Sequence, residues 1–228
     1  MRYFTFSTSL ACYLLLSTHV FAASPHSLSA TTFLATDYMF RGVSQTNNDP
    51  TLWLGIDYAH ESGFYGGLFF ANVDYDTDTR REEDIYVGYS KSFENGISLD
   101  AQAWYYTYRN ESDLDYPEYT VGLQYKWFDA RYWYSDDYSG TGGEQHYYEA
   151  GLTVPLLDNL ELGVRAAHTD FGRDTGIQDY NDYSLSLAAT YHGFEISMLA
   201  TTTNEDQFGE LEDSRVVFGI SKTFNLLP

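Results

Sequence analysis

The chain has 228 residues, and its 33 acidic and 12 basic side chains give a formal net charge of −21 at pH 7. Nucleic acid and anionic lipid surfaces both require a basic patch, so this balance excludes nucleic acid as a partner. The 22 tyrosines exceed what a soluble globule of this length ordinarily needs.

The N-terminus, residues 1–22, is predicted to be a signal peptide. Arg2 precedes a short apolar run at residues 10–16, and Ala22 ends the segment with a small residue at the usual cleavage position. The run is shorter than the roughly 20 residues of a membrane-spanning helix. Cleavage removes Cys12, the single cysteine, so the exported chain is expected to lack disulfides and cysteine chemistry.

The remaining residues, 23–228, follow an alternating pattern of period two to the C-terminus. In one example Tyr119, Val121 and Leu123 alternate with Thr120 and Gly122, as on a strand with one apolar and one polar face. Mean hydropathy is below zero, as in a barrel in which only every second residue meets lipid. The pattern predicts about 12 strands, beginning near residues 28, 51, 64, 83, 97, 118, 130, 145, 160, 182, 194 and 214.

The predicted fold is all-β, a single transmembrane antiparallel β-barrel domain of about 12 strands. Short connections alternate with longer ones, and short turns of such barrels face the periplasm, so both termini are predicted to be periplasmic. A soluble lipocalin-like or sandwich domain also alternates. Its buried face would carry larger apolar residues than the Ala, Tyr and Leu mixture found here. The expected partners are outer-membrane lipid and lipopolysaccharide, and the last strand, ending at Phe224, is typical of a signal for the barrel-assembly machinery.

Charged residues at inward positions are the candidate pore lining. Acids outnumber bases among them, which favours cations in a water-filled pore and predicts passive diffusion of small hydrophilic solutes. A plugged structural or adhesive barrel, filled by mutually paired charges, is the alternative. The predicted lining consists of Asp37, Asp57, Asp74, Asp100, Glu118, Lys126, Arg131, Glu149, Glu161, Arg165, Glu195 and Arg215.

Three stretches carry a family resemblance: DYMFRGVSQT at residues 37–46, DYAHESGFY at 57–65 and DIYVGY at 84–89. In these stretches the chain resembles the TorF family of porins from Gram-negative bacteria. The resemblance implies an outer-membrane barrel for solute passage, with no catalytic residues.

A hydrolase is the alternative of a different class. It would need a nucleophile, a base and an orienting group. His146 and His168 are the candidate bases, but no Gly-x-Ser-x-Gly turn accompanies them. The histidines lack the spacing of a shared metal site, and the acidic loops are interpreted as solvated surface, with calcium shared with lipopolysaccharide phosphates as the alternative. No cofactor or metal is predicted.

Arg41 lies between an aromatic pair and a run of turn-forming residues. It follows the first strand at the outer rim, where Gly42 permits a sharp bend. We expect Arg41 to fold back over the mouth, to pair with inward or rim carboxylates such as Asp37 or Asp74, and to anchor the first external loop. An ordinary exposed arginine is the alternative.

Overall fold

The computed structural model describes residues 24–227, so the predicted signal peptide lies outside the described residues. The strands, numbered in chain order, are β1 His26–Ala35, β2 Met39–Phe40, β3 Val43–Ser44, β4 Thr51–His60, β5 Phe64–Asn72, β6 Arg81–Ser92, β7 Ile97–Tyr108, β8 Tyr116–Tyr125, β9 Phe128–Ser135, β10 Gln145–Leu157, β11 Leu160–Phe171, β12 Tyr180–Tyr191, β13 Phe194–Thr203 and β14 Arg215–Leu227. Short 3-10 segments occur at Ser112–Leu114, Tyr138–Gly140, Arg173–Thr175 and Gly209–Glu212. Across residues 24–227, no helix is long and apolar enough to cross a membrane.

Twelve of the strands form a closed antiparallel barrel. Each pairs with its neighbour in the chain, and β1 closes the barrel by pairing with β14, for example Ala30 with Phe224. The short strands β2 and β3 form a separate hairpin. The prediction of a 12-stranded antiparallel barrel is confirmed, and each predicted start lies within two residues of the observed one.

The barrel has two distinct ends. We call the end with the first and last described residues and the short connections the turn end, and the end with the longer connections the loop end. Loop 1, residues 36–50, joins β1 to β4 at the loop end. Which end faces the periplasm stays a prediction.

The outer wall is apolar and exposed. Leu52, Val87 and Val121 are 61%, 61% and 56% exposed, whereas the alternating inward residues Thr31 and Thr120 are each 3% exposed. A soluble barrel would place its apolar face inside, and the exposed apolar area expected of a soluble monomer is limited to small patches. An apolar outer wall around a polar interior is instead the arrangement of a membrane barrel.

Loop 1 enters the barrel lumen, which corrects the prediction of an external loop. Tyr38, Met39 and Thr46 are 5%, 3% and 1% exposed. The β2–β3 hairpin turns at Arg41 and Gly42, whose φ angles are 51° and 81°. Positive φ at both central residues is the geometry of a tight two-residue hairpin turn, and it places Arg41 at the hairpin tip.

Candidate functional site in the barrel lumen

Arg41 holds loop 1 against the opposite wall of the lumen. Its Nη2 donates to Glu118 Oε1 on β8 at 2.6 Å, and its Nη1 donates to the Gln145 side chain on β10. The guanidinium also lies 4.4 Å from the ring centre of Tyr147, a cation–π distance. Its backbone carbonyl accepts a hydrogen bond from Tyr180 Oη on β12 at 2.9 Å. One loop residue therefore binds three separate strands.

Arg41 and Glu118 form a buried ion pair in which each residue stabilises the charged form of the other. Glu118 is fully buried and Arg41 is 5% exposed. Burial by itself would lower the pKa of the Arg41 guanidinium, but the attraction of Glu118 raises the pKa above its ordinary value. The ion-pair partner of Arg41 is the inward carboxylate Glu118, whereas Asp37 and Asp74 pair with Arg215 and Arg80, respectively.

Three predicted lining residues lie elsewhere than on the lumen wall. Asp37 follows the end of β1 and belongs to loop 1, where it accepts bonds from Ser44 Oγ at 2.6 Å and Arg215 Nη1 at 2.7 Å. Asp74 follows the end of β5 and pairs with Arg80 at 3.2 Å outside the strands.

Lys126 is the third predicted lining residue that does not lie on the lumen wall. β8 ends at Tyr125, so Lys126 lies in the two-residue turn before β9, where it is exposed and has a φ of 57°. Its ammonium lies 5.0 Å from the Tyr125 ring centre. In each of the three cases the alternating pattern was extended past the end of a strand.

The remaining predicted lining residues occupy inward positions. Arg131 pairs with Asp100 at 2.8 Å. Arg165 pairs with both Glu149 at 2.9 Å and Asp129 at 3.0 Å. The other inward residues of the predicted set are Asp57, Glu118, Glu161, Glu195 and Arg215.

Glu161 and Glu195 form an acidic pair near the turn end. They lie on β11 and β13, on either side of β12, where Glu161 is opposite Ala188 and Glu195 is opposite Thr190. Glu161 Oε2 is buried without a hydrogen-bond partner among the described residues. No ion pair neutralises either carboxylate within residues 24–227.

Several inward residues were missed by the sequence analysis. Glu82, Asp84 and Asp182 are 4%, 4% and 6% exposed. They lie near the beginning of β6 and of β12, at the loop end. Both strands begin two residues before their predicted starts, so Glu82 fell outside the predicted strand, whereas Asp84 and Asp182 lie within the predicted strands and the alternation by itself places them inward. Gln145, the first residue of β10, is uncharged and therefore lies outside the predicted lining, which contains charged residues only.

Aromatic side chains line the loop-end half of the lumen. Successive ring centres along this wall, Tyr86 to Trp104, Trp104 to Tyr106 and Tyr106 to Tyr116, are 4.3, 5.8 and 4.6 Å apart, and each pair is tilted by only 16°. Tyr38 of loop 1 joins the same buried cluster. Loop 1 and the aromatic rings together narrow this half of the barrel.

From the middle of the barrel toward the turn end, large side chains lie flat along the wall. Tyr65 is paired across the strands with Gly88, and Tyr86 with Gly67. A Cβ on Gly88 would lie 2.6 Å from Tyr65 Oη, and a Cβ on Gly67 would lie 2.6 Å from Tyr86 Oη. The two phenols lie over glycine and donate to Asp100 and Asp57, respectively. Arg131 lies over Gly122 in the same way. Glycine opposite a bulky residue therefore keeps that residue close to the wall.

Comparison with known families gives one match. The family described as "Bacterial protein of unknown function (Gcw_chp)" matches residues 19–224. The chain belongs to this family. No curated protein matches the chain.

Solved porin structures share the fold. A structure of the NanC porin has a TM-score of 0.61 at 10% identity, covering 88% of this chain and 100% of that one. A structure described as "KdgM porin in complex with disordered oligogalacturonate" has a TM-score of 0.55 at 9% identity, covering 87% of this chain and 99% of that one. At these identities the likeness shows a common barrel architecture.

The two candidate catalytic histidines lie on the outer face of the wall. His146 Nδ1 is hydrogen-bonded with Tyr132 Oη at 2.7 Å, and His168 Nδ1 with Asn181 Oδ1 at 3.0 Å. Glu144 lies 3.8 Å from His146. Over residues 24–227, no group of three His, Cys, Asp or Glu residues is arranged to hold a metal ion.

Proposed function

We propose that the protein is a narrow outer-membrane channel through which small hydrophilic solutes diffuse passively, with cations favoured over anions. The membrane-barrel architecture and the exposed apolar outer wall support the membrane location. The resemblance of residues 37–46 to TorF-family porins supports solute passage, and we propose membership of that family as well.

The observation that carries the proposal is that the arginine charges in the lumen are neutralised, whereas several of the carboxylate charges are not. Arg41, Arg131, Arg165 and Arg215 each lie within 3 Å of a carboxylate, at 2.6, 2.8, 2.9 and 2.7 Å. Their charges are therefore cancelled. Other inward carboxylates have no arginine or lysine partner in the described part of the chain. These carboxylates are Asp57, Glu82, Asp84, Glu161, Asp182 and Glu195. Unpaired carboxylates raise the local concentration of cations.

The selectivity test uses Glu161 and Glu195. Neutralising Glu118 would leave the buried Arg41 unpaired, and neutralising Glu149 would leave Arg165 with Asp129 alone, so either change alters an ion pair as well as the charge of the lumen. Glu161→Gln/Glu195→Gln removes only uncompensated charge. In lipid bilayers under a potassium chloride gradient, we expect the wild-type reversal potential to show potassium preference and this variant to lose part of that preference. The exposed pair Glu205→Gln/Asp206→Asn is the matched control and should retain it.

A structural barrel without transport is the second candidate, favoured by the burial of loop 1 and the aromatic rings in the loop-end half. Bilayers that remain electrically silent with folded protein would support this candidate and overturn the channel. Chloride preference would overturn the assignment of selectivity.

A further inference from the structure

Glu82 and Asp84 form an uncompensated acidic pair inside the loop-end half of the barrel. They occupy successive inward positions of β6, and each is only 4% exposed. Both carboxylate oxygens of Asp84, and Oε2 of Glu82, are buried without a hydrogen-bond partner among the described residues. No ion pair within residues 24–227 involves either carboxylate, and the Arg41 guanidinium pairs with Glu118 instead.

Aromatic side chains surround this acidic pair. The strand register sets Asp84 between Phe69 of β5 and Tyr106 of β7. Glu82 faces Tyr108, whose Oη donates to Glu82 Oε1 at 3.2 Å. Tyr38 of loop 1 lies against Phe69, with ring centres 6.2 Å apart. The three free oxygens thus lie in a wall of aromatic rings that loop 1 covers.

Buried carboxylates in such a setting are neutralised either by a proton or by a bound cation. Leaving them ionised and unpaired costs several kcal/mol. A primary ammonium ion carries three N–H donors, as a lysine head does, and these match the three free oxygens. Aromatic faces attract the same cation and contact its carbon chain. A calcium ion would instead need about six to eight oxygen ligands, and among the described residues no group of three His, Cys, Asp or Glu side chains is arranged to hold a metal ion.

We propose that Glu82 and Asp84, with Tyr38, Tyr106 and Tyr108, form a binding site for a small primary amine in its ammonium form. The proposal deepens the proposed function and rests on it, because the amine reaches the site along the lumen. The site selects by hydrogen bonding as well as by charge.

Calorimetry on the folded protein in detergent tests the site directly. We expect n-butylammonium to bind the wild type. Tetramethylammonium, which has the same charge and no donors, should bind about tenfold more weakly or worse, since charge-assisted hydrogen bonds are lost. Glu82→Gln/Asp84→Asn should weaken n-butylammonium binding by about tenfold or more. The matched control Glu205→Gln/Asp206→Asn makes the same chemical change on an exposed loop and should bind as the wild type does.

Several results would overturn the site: no binding of n-butylammonium, equal binding of the two ions, or unchanged binding by the Glu82/Asp84 variant. Unchanged binding would be the result if the pair holds only a shared proton. A heat-modifiable gel band checks that each variant is folded, and Asp84→Asn alone replaces the double variant if the latter does not fold. Bilayer conduction separates the two proposals, because conduction without amine binding overturns the site alone, whereas electrically silent bilayers overturn the channel.

Discussion

The Arg41 guanidinium lies 2.6 Å from the Glu118 carboxylate, although the two residues are 77 positions apart in the chain. Both are nearly or fully buried. Removing one member of a buried pair leaves the other charge uncompensated, which is far more destabilising than replacing both by apolar groups. The pair therefore controls both the position of loop 1 and the stability of the barrel.

Arg41→Ala is expected to destabilise the barrel by about 3–5 kcal/mol, the usual cost of leaving a buried partner unpaired. Loop 1 should also become more sensitive to protease added to intact cells, and bilayer conductance should increase as the loop leaves the lumen. Arg173→Ala, at an exposed position of a 3-10 segment, is the control and should change none of these properties. Wild-type behaviour of Arg41→Ala would remove its anchoring role.

The double variant Arg41→Met/Glu118→Leu separates loss of the pair from an unpaired charge. Because both buried charges disappear, the double variant should be more stable than either single substitution. The midpoint temperature of heat-induced unfolding in detergent measures the order of stability among the three variants. A double variant less stable than both single variants would show that the hydrogen bonds, rather than charge compensation, dominate.

Gly42 is predicted to be intolerant of a side chain for two reasons. Its φ is 81°, and an added Cβ would lie 2.7 Å from Thr203 Cγ2 and 3.0 Å from Asp182 Cβ. Gly142 has a similar φ of 77° but no atom within 4 Å of an added Cβ. Gly142→Ala should therefore cost about 1–2 kcal/mol, from backbone strain alone. Gly42→Ala should cost more and should increase cleavage of loop 1 by protease, and equal effects of the two substitutions would contradict a tight fit at Thr203.

The pairing of Tyr65 with Gly88 predicts a compensating double variant. Gly88→Ala should push the Tyr65 ring off the wall and into the turn-end half of the lumen, which lowers single-channel conductance. Tyr65→Ala in the same chain removes the overlap and should restore conductance to at least the wild-type level. Failure of the second substitution to restore conductance would show that Gly88 acts through the backbone.

A closed barrel predicts heat-modifiable migration. Without boiling, the detergent-solubilised protein should run at a different position on a gel than after boiling, since all strand edges are paired. Cell fractionation should recover the protein with outer-membrane lipid. Recovery in the soluble periplasmic fraction would contradict the membrane location.

The strands could be predicted from sequence because lipid and lumen impose alternation on every one of them. Tyr119 and Val121, for example, are exposed outward, whereas Glu118 and Thr120 are buried inward. The pattern failed where the strand ended, and Lys126 was assigned to the wall although it lies one residue past β8.

The partner of Arg41 could not be predicted in this way. Alternation gives the face of each residue and says nothing about which residues meet across the lumen. Loop 1 entered the lumen because its turn carries Arg41 toward Glu118, a contact that depends on the width and register of the closed barrel. Short-range turn chemistry indicated a bend at Gly42 without its direction.

The position of loop 1 inside the lumen has a consequence for the order in which contacts form during folding. Loop 1 comes early in the chain, but Tyr180 binds it from 139 positions away, and Arg215 binds Asp37 from 178 positions away. Contacts of such sequence separation form slowly, because chain entropy must be lost before they contribute. Arg215 begins the last strand, β14, which also pairs with β1 to close the barrel. The buried acid Asp37 of loop 1 therefore has its cation only when β14 is in place, so the contacts of loop 1 are complete only in the closed barrel.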